Sequence, residues 1–237
     1  MNVCIYRVPL KKSIINPPSS CPRCGAMLRI YDNIPLISYL ILLGKCRYCH
    51  HPISWRYPFV ELFTALLSVT LLVKYGLSYQ YIITLLFAAN LVTIGFIDLG
   101  HKIIPDVLSL PGIVAGWAVS IIPGGVSLLD SLIGTVAGGG SLFLIAFGYE
   151  RITKREGMGG GDIKLLAMIG AWVGWSPLPL IVLIASFSGA VIGSVFLFLV
   201  GKGYRTRIPF GPFLSLGALF HLFFGRAFIY WYYGLFS

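Results

Sequence analysis

The sequence predicts an all-α polytopic membrane protein with about seven transmembrane helices and a small domain outside the membrane near its N-terminus. Of its 237 residues 57% are hydrophobic and only 11% charged, and the mean hydropathy is +0.86. Soluble domains carry about 25% charged residues. The first 58 residues are polar and interrupted by prolines, whereas apolar runs fill the rest. We therefore divide the chain into a domain at 1–58 and a transmembrane domain at 59–237.

Seven apolar runs follow residue 58, separated by short polar or glycine- and proline-containing turns. They cover residues 59–73, 79–97, 107–122, 126–147, 163–175, 180–200 and 210–235. A helix that crosses the hydrocarbon core needs about 20 residues, so the shorter runs reach that length only with flanking residues. We expect each run to form a helix that spans the lipid bilayer.

The distribution of basic residues predicts the orientation of these helices. The net charge is +10, but in a membrane protein Lys and Arg chiefly mark the cytoplasmic side, so we infer no nucleic-acid partner. With the N-terminal domain in the cytoplasm, the inside segments hold sixteen of the eighteen Lys and Arg, counting Lys164 at an edge. Those segments are residues 1–58, 98–106, 149–162 and 201–209.

A glycine-dense stretch, residues 157–161, precedes one of only eight acidic residues, Asp162. Glycine at 159, 160 and 161 permits positive φ angles and lets another backbone, such as an extended substrate, approach closely. Asp162 would then begin an apolar helix, whose dipole favours its negative charge. A flexible loop followed by an ordinary N-capping Asp is the alternative.

A second carboxyl group, that of Asp98, ends the second apolar run and is predicted on the same membrane face as Asp162. Acidic residues at membrane depth are costly and usually functional. Two adjacent carboxyl groups share a proton, so that one activates water while the other polarises a carbonyl, as in aspartic proteases. The alternatives are helix capping, or pairing with Lys102 or Lys164; Asp106 is either a rival partner or a helix start.

The cysteines predict a metal site. Cys21 and Cys24 form one Cys-x-x-Cys pair and Cys46 and Cys49 a second, with twenty-one residues between the pairs. This spacing favours a structural four-thiolate zinc site. Disulfides are the alternative, which a reducing cytoplasm disfavours.

Glu61 lies near the start of the first apolar run, at the edge of the membrane. It either pairs with a basic neighbour or contacts a substrate, and the sequence leaves both roles open.

Short motifs in a fixed order connect the chain to a known family. They are Asn2-Val3-Cys4-Ile5-Tyr6-Arg7-Val8-Pro9, Cys21-Pro22-Arg23-Cys24, residues 31–39, Gly44-Lys45-Cys46-Arg47-Tyr48-Cys49, residues 53–62, Ile97-Asp98, Pro105-Asp106 and residues 157–164. In these motifs the chain resembles the prepilin peptidases, membrane aspartic endopeptidases that trim the leaders of type IV prepilins and pseudopilins. The family's GxGD signature stands here as Gly159-Gly160-Gly161-Asp162.

This resemblance implies a function and a site. Asp98 and Asp162 correspond to the family's catalytic aspartates, with Gly159, Gly160, Gly161 and Asp106 in the loops at the substrate. The expected substrate is a prepilin or pseudopilin whose basic leader is cut at the cytoplasmic face of the bacterial inner membrane. The resemblance also implies N-methylation of the new N-terminus with S-adenosylmethionine, and it supports zinc on the cysteine tetrad.

The chain departs from the family at its start. Members usually carry a hydrophobic span before the Asn-Val-x-Ile-Tyr-Arg motif, whereas Met1 directly precedes Asn2 here, so eight spans would become seven. Either the start is assigned too late or the first helix is missing, and no cleavable signal peptide is visible. Two other classes stay open, a presenilin-like GxGD protease and a non-enzymatic transporter or scaffold.

Overall fold

The computed structural model describes residues 1–154, 157–200 and 208–234, and within these ranges the protein is helical with no β-strand. A 3-10 turn covers Ile30–Asn33. The α-helices are α1 (Asn2–Arg7), α2 (Ile37–Ile41), α3 (Arg56–Tyr75), α4 (Tyr79–His101), α5 (Asp106–Ser120), α6 (Leu128–Thr153), α7 (Gly160–Val173), α8 (Leu178–Val200) and α9 (Gly211–Gly234).

Each of the seven predicted apolar runs forms one helix, from α3 to α9. Four stretches are long and apolar enough to cross a membrane, namely α3, α4, α6 and residues 178–196 of α8. Helix α5 is apolar but has 15 residues, which rise only about 22 Å. The all-helical membrane class is confirmed, while the count of seven spans stays a prediction. The predicted basic loop at 201–207 lies outside the described residues.

Two helix boundaries differ from the expectation and both concern the aspartates. Helix α4 continues beyond residue 97 to His101, so Asp98 lies in its last turn instead of starting a polar segment. The helix ends where Lys102 adopts a left-handed φ of 56° and donates its N–H to the Asp98 carbonyl, 2.8 Å away. Helix α7 begins at Gly160, so two of the glycines belong to its first turn.

The chain forms two compact units, Met1–Ala89 and Asn90–Ser237. In the first unit α1 packs against α3, and Ile5 and Val60 are both buried. The predicted domain boundary between residues 58 and 59 stays a prediction.

Helix α7 is the centre of the second unit. It contacts α5, α6 and α9, and every residue from Leu165 to Ala171 is buried. Hydrogen bonds fasten it to its neighbours, because Trp172 Nε1 donates to the Gly112 carbonyl of α5 and Ser131 Oγ of α6 donates to the Ala171 carbonyl, at 2.8 and 2.5 Å.

Glycines allow α6 and α7 to approach closely. A Cβ atom on Gly138 would lie 2.5 Å from the carbonyl oxygen of Leu166, and one on Gly134 would collide with the Gly170 backbone. The sequence Gly134-x-x-x-Gly138 has the small-residue spacing by which membrane helices pack closely. The position of α7, and of Asp162 on it, therefore depends on these glycines.

Candidate active site and metal centre

The Asp98 side chain is buried, with 5% of its surface exposed, in the last turn of α4. Its Oδ2 accepts a hydrogen bond of 3.0 Å from the N–H of Gly211, the first residue of α9. A helix N-terminus presents free N–H groups and a positive partial charge. The Gly211 hydrogen bond therefore offsets part of the cost of burying a negative charge on the Asp98 carboxyl group.

Gly211 is a site residue that the sequence reasoning missed. A Cβ at this position would lie 2.7 Å from Asp98 Oδ2 and 3.1 Å from Ile104 Cδ1, so no larger residue fits without displacing one of them. The only local signal in the sequence was the run Pro209-Phe210-Gly211-Pro212, in which a glycine and a proline begin a helix. Nothing in that signal identifies Asp98, which lies 113 residues earlier, as the partner.

Asp162 is half-buried in the first turn of α7, which has Gly159 as its N-cap. No described residue donates a hydrogen bond to its carboxyl group, in contrast to Asp98. The expected positive φ angles do not occur, since none of Gly159, Gly160 and Gly161 has one. The glycines instead provide space: a Cβ on Gly161 would lie 2.9 Å from Ile104 Cβ, while one on Gly160 would meet no atom within 4 Å.

Ile104, in the turn between α4 and α5, connects the surroundings of both aspartates. Its side chain lies against Gly161, next to Asp162, and against Gly211, which bonds Asp98. Ile104 thus lies between the residue that precedes Asp162 and the residue that bonds Asp98, so both carboxyl groups lie in the same part of the second unit. Two neighbouring carboxyl groups share one proton more readily than both ionise.

Asp106 has a different environment from the two aspartates. It is the first residue of α5, and its Oδ1 lies 2.7 Å from Lys164 Nζ in an ion pair whose side chains are 55% and 41% exposed. Lys164 thus pairs with Asp106 and not with Asp162. Exposed pairs of this kind contribute at most about 1 kcal/mol.

The four predicted metal ligands converge in the first unit. The Sγ atoms of Cys21, Cys24, Cys46 and Cys49 all lie within 4.8 Å of one another. Sγ–Sγ distances are 3.8 Å between Cys21 and Cys49 and 4.0 Å between Cys24 and Cys46. Tetrahedral zinc with bonds of about 2.3 Å separates its sulfur ligands by about 3.8 Å. The tetrad therefore fits a metal ion, and all four cysteines are free of disulfides.

The two Cys-x-x-Cys turns have the same backbone design. In each, the residue four positions after the first cysteine is left-handed, Gly25 at φ 70° and His50 at φ 53°, and donates its N–H to that cysteine's carbonyl. Backbone hydrogen bonds from Cys24 and Arg23 lower the pKa of Cys21 to about 6. These bonds favour the thiolate, which is the form that binds metal.

Glu61 has no basic partner among the described residues. Its Oε1 accepts a hydrogen bond from Asn2 Nδ2 at 3.2 Å, and its Oε2 accepts one from the Leu36 N–H at 3.0 Å. The described ion pairs are Arg47–Asp32 and Lys164–Asp106. The sequence left two roles open for Glu61, and the described residues do not provide the first of them, pairing with a basic neighbour.

Comparison with known families matches both units. The profile of the bacterial peptidase A24 N-terminal domain matches residues 1–75, and that of the type IV leader peptidase family matches residues 85–194. The cysteine tetrad lies in the first match, and Asp98, Asp106 and Asp162 lie in the second.

Several similar proteins bear the name prepilin leader peptidase/N-methyltransferase. That of Pseudomonas aeruginosa is 43% identical over 213 residues, covering 90% of this chain and 73% of the relative. That of Aeromonas hydrophila is 40% identical, with 93% and 76% covered, and that of Legionella pneumophila is 37% identical, with 99% and 90% covered. No solved structure matches the chain significantly.

Proposed function

The chain belongs to the type IV leader peptidase family, and on this basis we propose that it is a membrane aspartic endopeptidase that removes the basic leader from type IV prepilins or pseudopilins. One observation carries the proposal: Asp98 in the last turn of α4 and Asp162 in the first turn of α7 are connected through Ile104, which lies against Gly161 and Gly211, and both aspartates fall within the family match. We further propose that the protein N-methylates the new N-terminus, since its relatives are named as N-methyltransferases as well as leader peptidases.

The hydrogen bonds support different roles for the two carboxyl groups. Asp98 accepts a hydrogen bond from the Gly211 N–H at the N-terminus of α9. This hydrogen bond and the positive end of the helix dipole stabilise a negative charge on Asp98. Asp162 accepts no hydrogen bond from a described residue. We therefore assign the general base to Asp98 and the proton donor to Asp162.

Peptide cleavage then follows the aspartic-protease scheme. Asp98 takes a proton from water as the water oxygen attacks the scissile carbonyl carbon, and Asp162 gives its proton to the carbonyl oxygen. When the tetrahedral intermediate collapses, the C–N bond breaks and the amine leaves with the proton from Asp98. The products are the leader's carboxyl group and a free amino-terminus on the mature chain.

Open space beside Gly160 supports the approach of an extended substrate. Since a Cβ there would meet no atom within 4 Å, a peptide backbone can lie against this turn, two residues from Asp162. The exposed Asp106–Lys164 pair borders the same helix start.

The proposal is tested by co-expressing the chain with a prepilin-like substrate and following leader removal as a gel shift. Asp98→Asn removes the general base and Asp162→Asn removes the proton donor. Each is expected to lower the cleavage rate by at least about 10³-fold. Asp106→Asn loses only an exposed ion pair and is expected to retain cleavage.

Equal amounts of each variant in the membrane are required. Asp130→Asn serves as a matched control, because the Asp130 carboxyl group lies in the first turn of α6 and accepts hydrogen bonds from Ser127 and Trp175, away from both aspartates in the chain. Persistent cleavage in both the Asp98 and Asp162 variants would show that the aspartic mechanism is wrong.

We propose zinc as the metal on the cysteine tetrad. Four thiolates suit zinc, and Sγ–Sγ distances of 3.8 and 4.0 Å match its tetrahedral geometry. The role is structural, since four protein ligands leave no open position for chemistry.

We also propose that the N-terminal domain and both aspartates face the cytoplasm. Support comes from the Lys and Arg residues, sixteen of which fall on one side of the predicted topology. Labelling of single introduced cysteines in intact and permeabilised cells measures this orientation directly.

A further inference from the structure

A large cavity lies in the first unit, bounded by α1, the turn before α2 and the start of α3. Its volume is about 1340 Å³, which exceeds the roughly 300–1,000 Å³ of ordinary small-molecule sites. The residues that line it include Tyr6, Tyr39, Tyr57 and Glu61. The proposed cleavage reaction uses none of these residues.

The other anion in the cavity wall is already neutralised. Asp32 forms an ion pair of 2.6 Å with Arg47, which holds the pKa of the Asp32 carboxyl group below its usual range. Arg7 donates to the carbonyls of Ser13 and Pro18, and Lys12 also lines the cavity. Glu61 is thus the carboxyl group of this wall that has no described cationic partner.

The geometry at Glu61 leaves room for a ligand. Each of its oxygens accepts one hydrogen bond, from Asn2 and from Leu36, whereas a carboxylate has about four acceptor positions. A part-buried carboxylate attracts a cation by its charge, and tyrosine side chains, whose ring faces also attract cations, line the same cavity.

We infer that Glu61 binds an ammonium group in this cavity, namely the free amino-terminus of the mature chain produced by cleavage. The inference rests on the methyl-transfer part of the proposed function, for which such an amine is the substrate. It gives Glu61 contact with the reacting nitrogen.

The reaction balances with a sulfonium methyl donor such as S-adenosylmethionine. The ammonium passes one proton to Glu61, and the nitrogen lone pair forms a bond to the methyl carbon. The carbon–sulfur bond breaks, and its electron pair stays on sulfur as a thioether. The methylated amine keeps the positive charge, and Glu61 returns its proton to water.

The alternative for Glu61 is a structural role as a clasp, by which we mean that its two hydrogen bonds hold α1 and the turn before α2 against α3. Glu61→Gln separates the two roles, because the amide oxygen still accepts from the Leu36 N–H and Asn2 keeps its hydrogen bond to the Tyr57 carbonyl. These contacts between α1, the turn before α2 and α3 persist in the variant, whereas the charge is lost.

The experiment uses the full chain purified in detergent, a synthetic peptide with the mature amino-terminus, and methyl-labelled S-adenosylmethionine. Since the peptide is already processed, the assay does not depend on cleavage. Glu61→Gln is expected to raise the KM for the peptide by at least about tenfold, because a charge-assisted hydrogen bond is lost. The KM for the methyl donor is expected to stay constant.

Matched measurements keep the outcome clear. Glu150→Gln removes an exposed carboxyl group of α6 and is expected to match the unaltered protein. If Glu61→Gln raises the KM for the donor instead, the ammonium is that of the donor's amino-acid end and the assignment to the peptide is overturned. If neither KM changes while Glu61→Ala lowers the melting temperature, Glu61 is a clasp and the inference is wrong.

Failure of the proposed function itself gives a different result. If the unaltered protein cleaves prepilin but methylates no peptide, methyl transfer is absent, and binding of the fluorescently labelled peptide then tests Glu61 alone. Tighter binding of the free than of the N-acetylated peptide, lost in Glu61→Gln, supports the ammonium site, and equal binding of the two peptides overturns it.

Discussion

At the scale of single residues, the contact between Gly211 and Asp98 is the least replaceable in the candidate active site. Gly211→Ala places a Cβ 2.7 Å from Asp98 Oδ2, so either the carboxyl group turns away or the N–H donor withdraws. Loss of one such preorganised donor costs about 10²–10³ in rate. We expect leader cleavage to fall at least about 100-fold, measured as initial rates in membranes with equal protein.

Gly140→Ala is the matched control for this variant, since it adds the same methyl group to a helix where no atom lies within 4 Å of the new Cβ. It is expected to cleave normally. Equal rates for Gly211→Ala and Gly140→Ala would mean that the N–H of Gly211 does not assist Asp98.

At the scale of secondary-structure elements, the packing of α6 against α7 fixes the helix that carries Asp162. In Gly138→Leu the new side chain meets the Leu166 carbonyl, 2.5 Å from its Cβ, so the two helices have to separate. Overpacking of this kind costs about 1–3 kcal/mol. We expect a lower melting temperature in detergent together with slower leader cleavage.

Gly140→Leu adds the same side chain to α6 two residues further on, into open space, and is expected to melt as the unaltered protein does. A melting temperature for Gly138→Leu equal to that of Gly140→Leu would contradict the close approach of α6 and α7.

Helices and local motifs were predictable from the sequence because their signals are local. The seven apolar runs became α3 to α9, and the spacing of Cys21, Cys24, Cys46 and Cys49 predicted ligands that do converge. The boundary at Asp98 was wrong by four residues, because a polar residue in the last turn of a helix resembles the start of a loop.

Contacts between distant segments could not be predicted in the same way. The Gly211–Asp98 hydrogen bond joins residues 113 positions apart, and the Glu61–Asn2 bond joins residues 59 apart. No periodicity or spacing in the sequence encodes such pairs, which depend on how helices pack. The close fit of Ile104 between Gly161 and Gly211 belongs to the same class.

At the scale of the whole molecule, the metal and the membrane helices stabilise different parts of the chain. Cys24→Ser removes one of four ligands, and a structural zinc site contributes roughly 10–16 kcal/mol to its fold. We expect bound zinc to fall from about one equivalent to below a tenth of that. Protease sites within residues 1–58 then become accessible, while the helical content of the second unit persists.

Elemental analysis of the purified protein and limited proteolysis followed by mass spectrometry measure the two effects. Cys4→Ser is the control, because Cys4 lies outside the tetrad. Retention of zinc in Cys24→Ser would show that the tetrad is not the metal site.

The burial of α7 also determines how the reaction responds to lipid. Residues 165–171 face protein on all sides, and the helix has only 14 residues. Its depth is consequently set by its neighbours α5, α6 and α9 and not by contact with lipid. A long helix exposed to lipid adapts to bilayer thickness by tilting, whereas the position of Asp162 is expected to follow the packing of these neighbours when the acyl chains are lengthened or shortened.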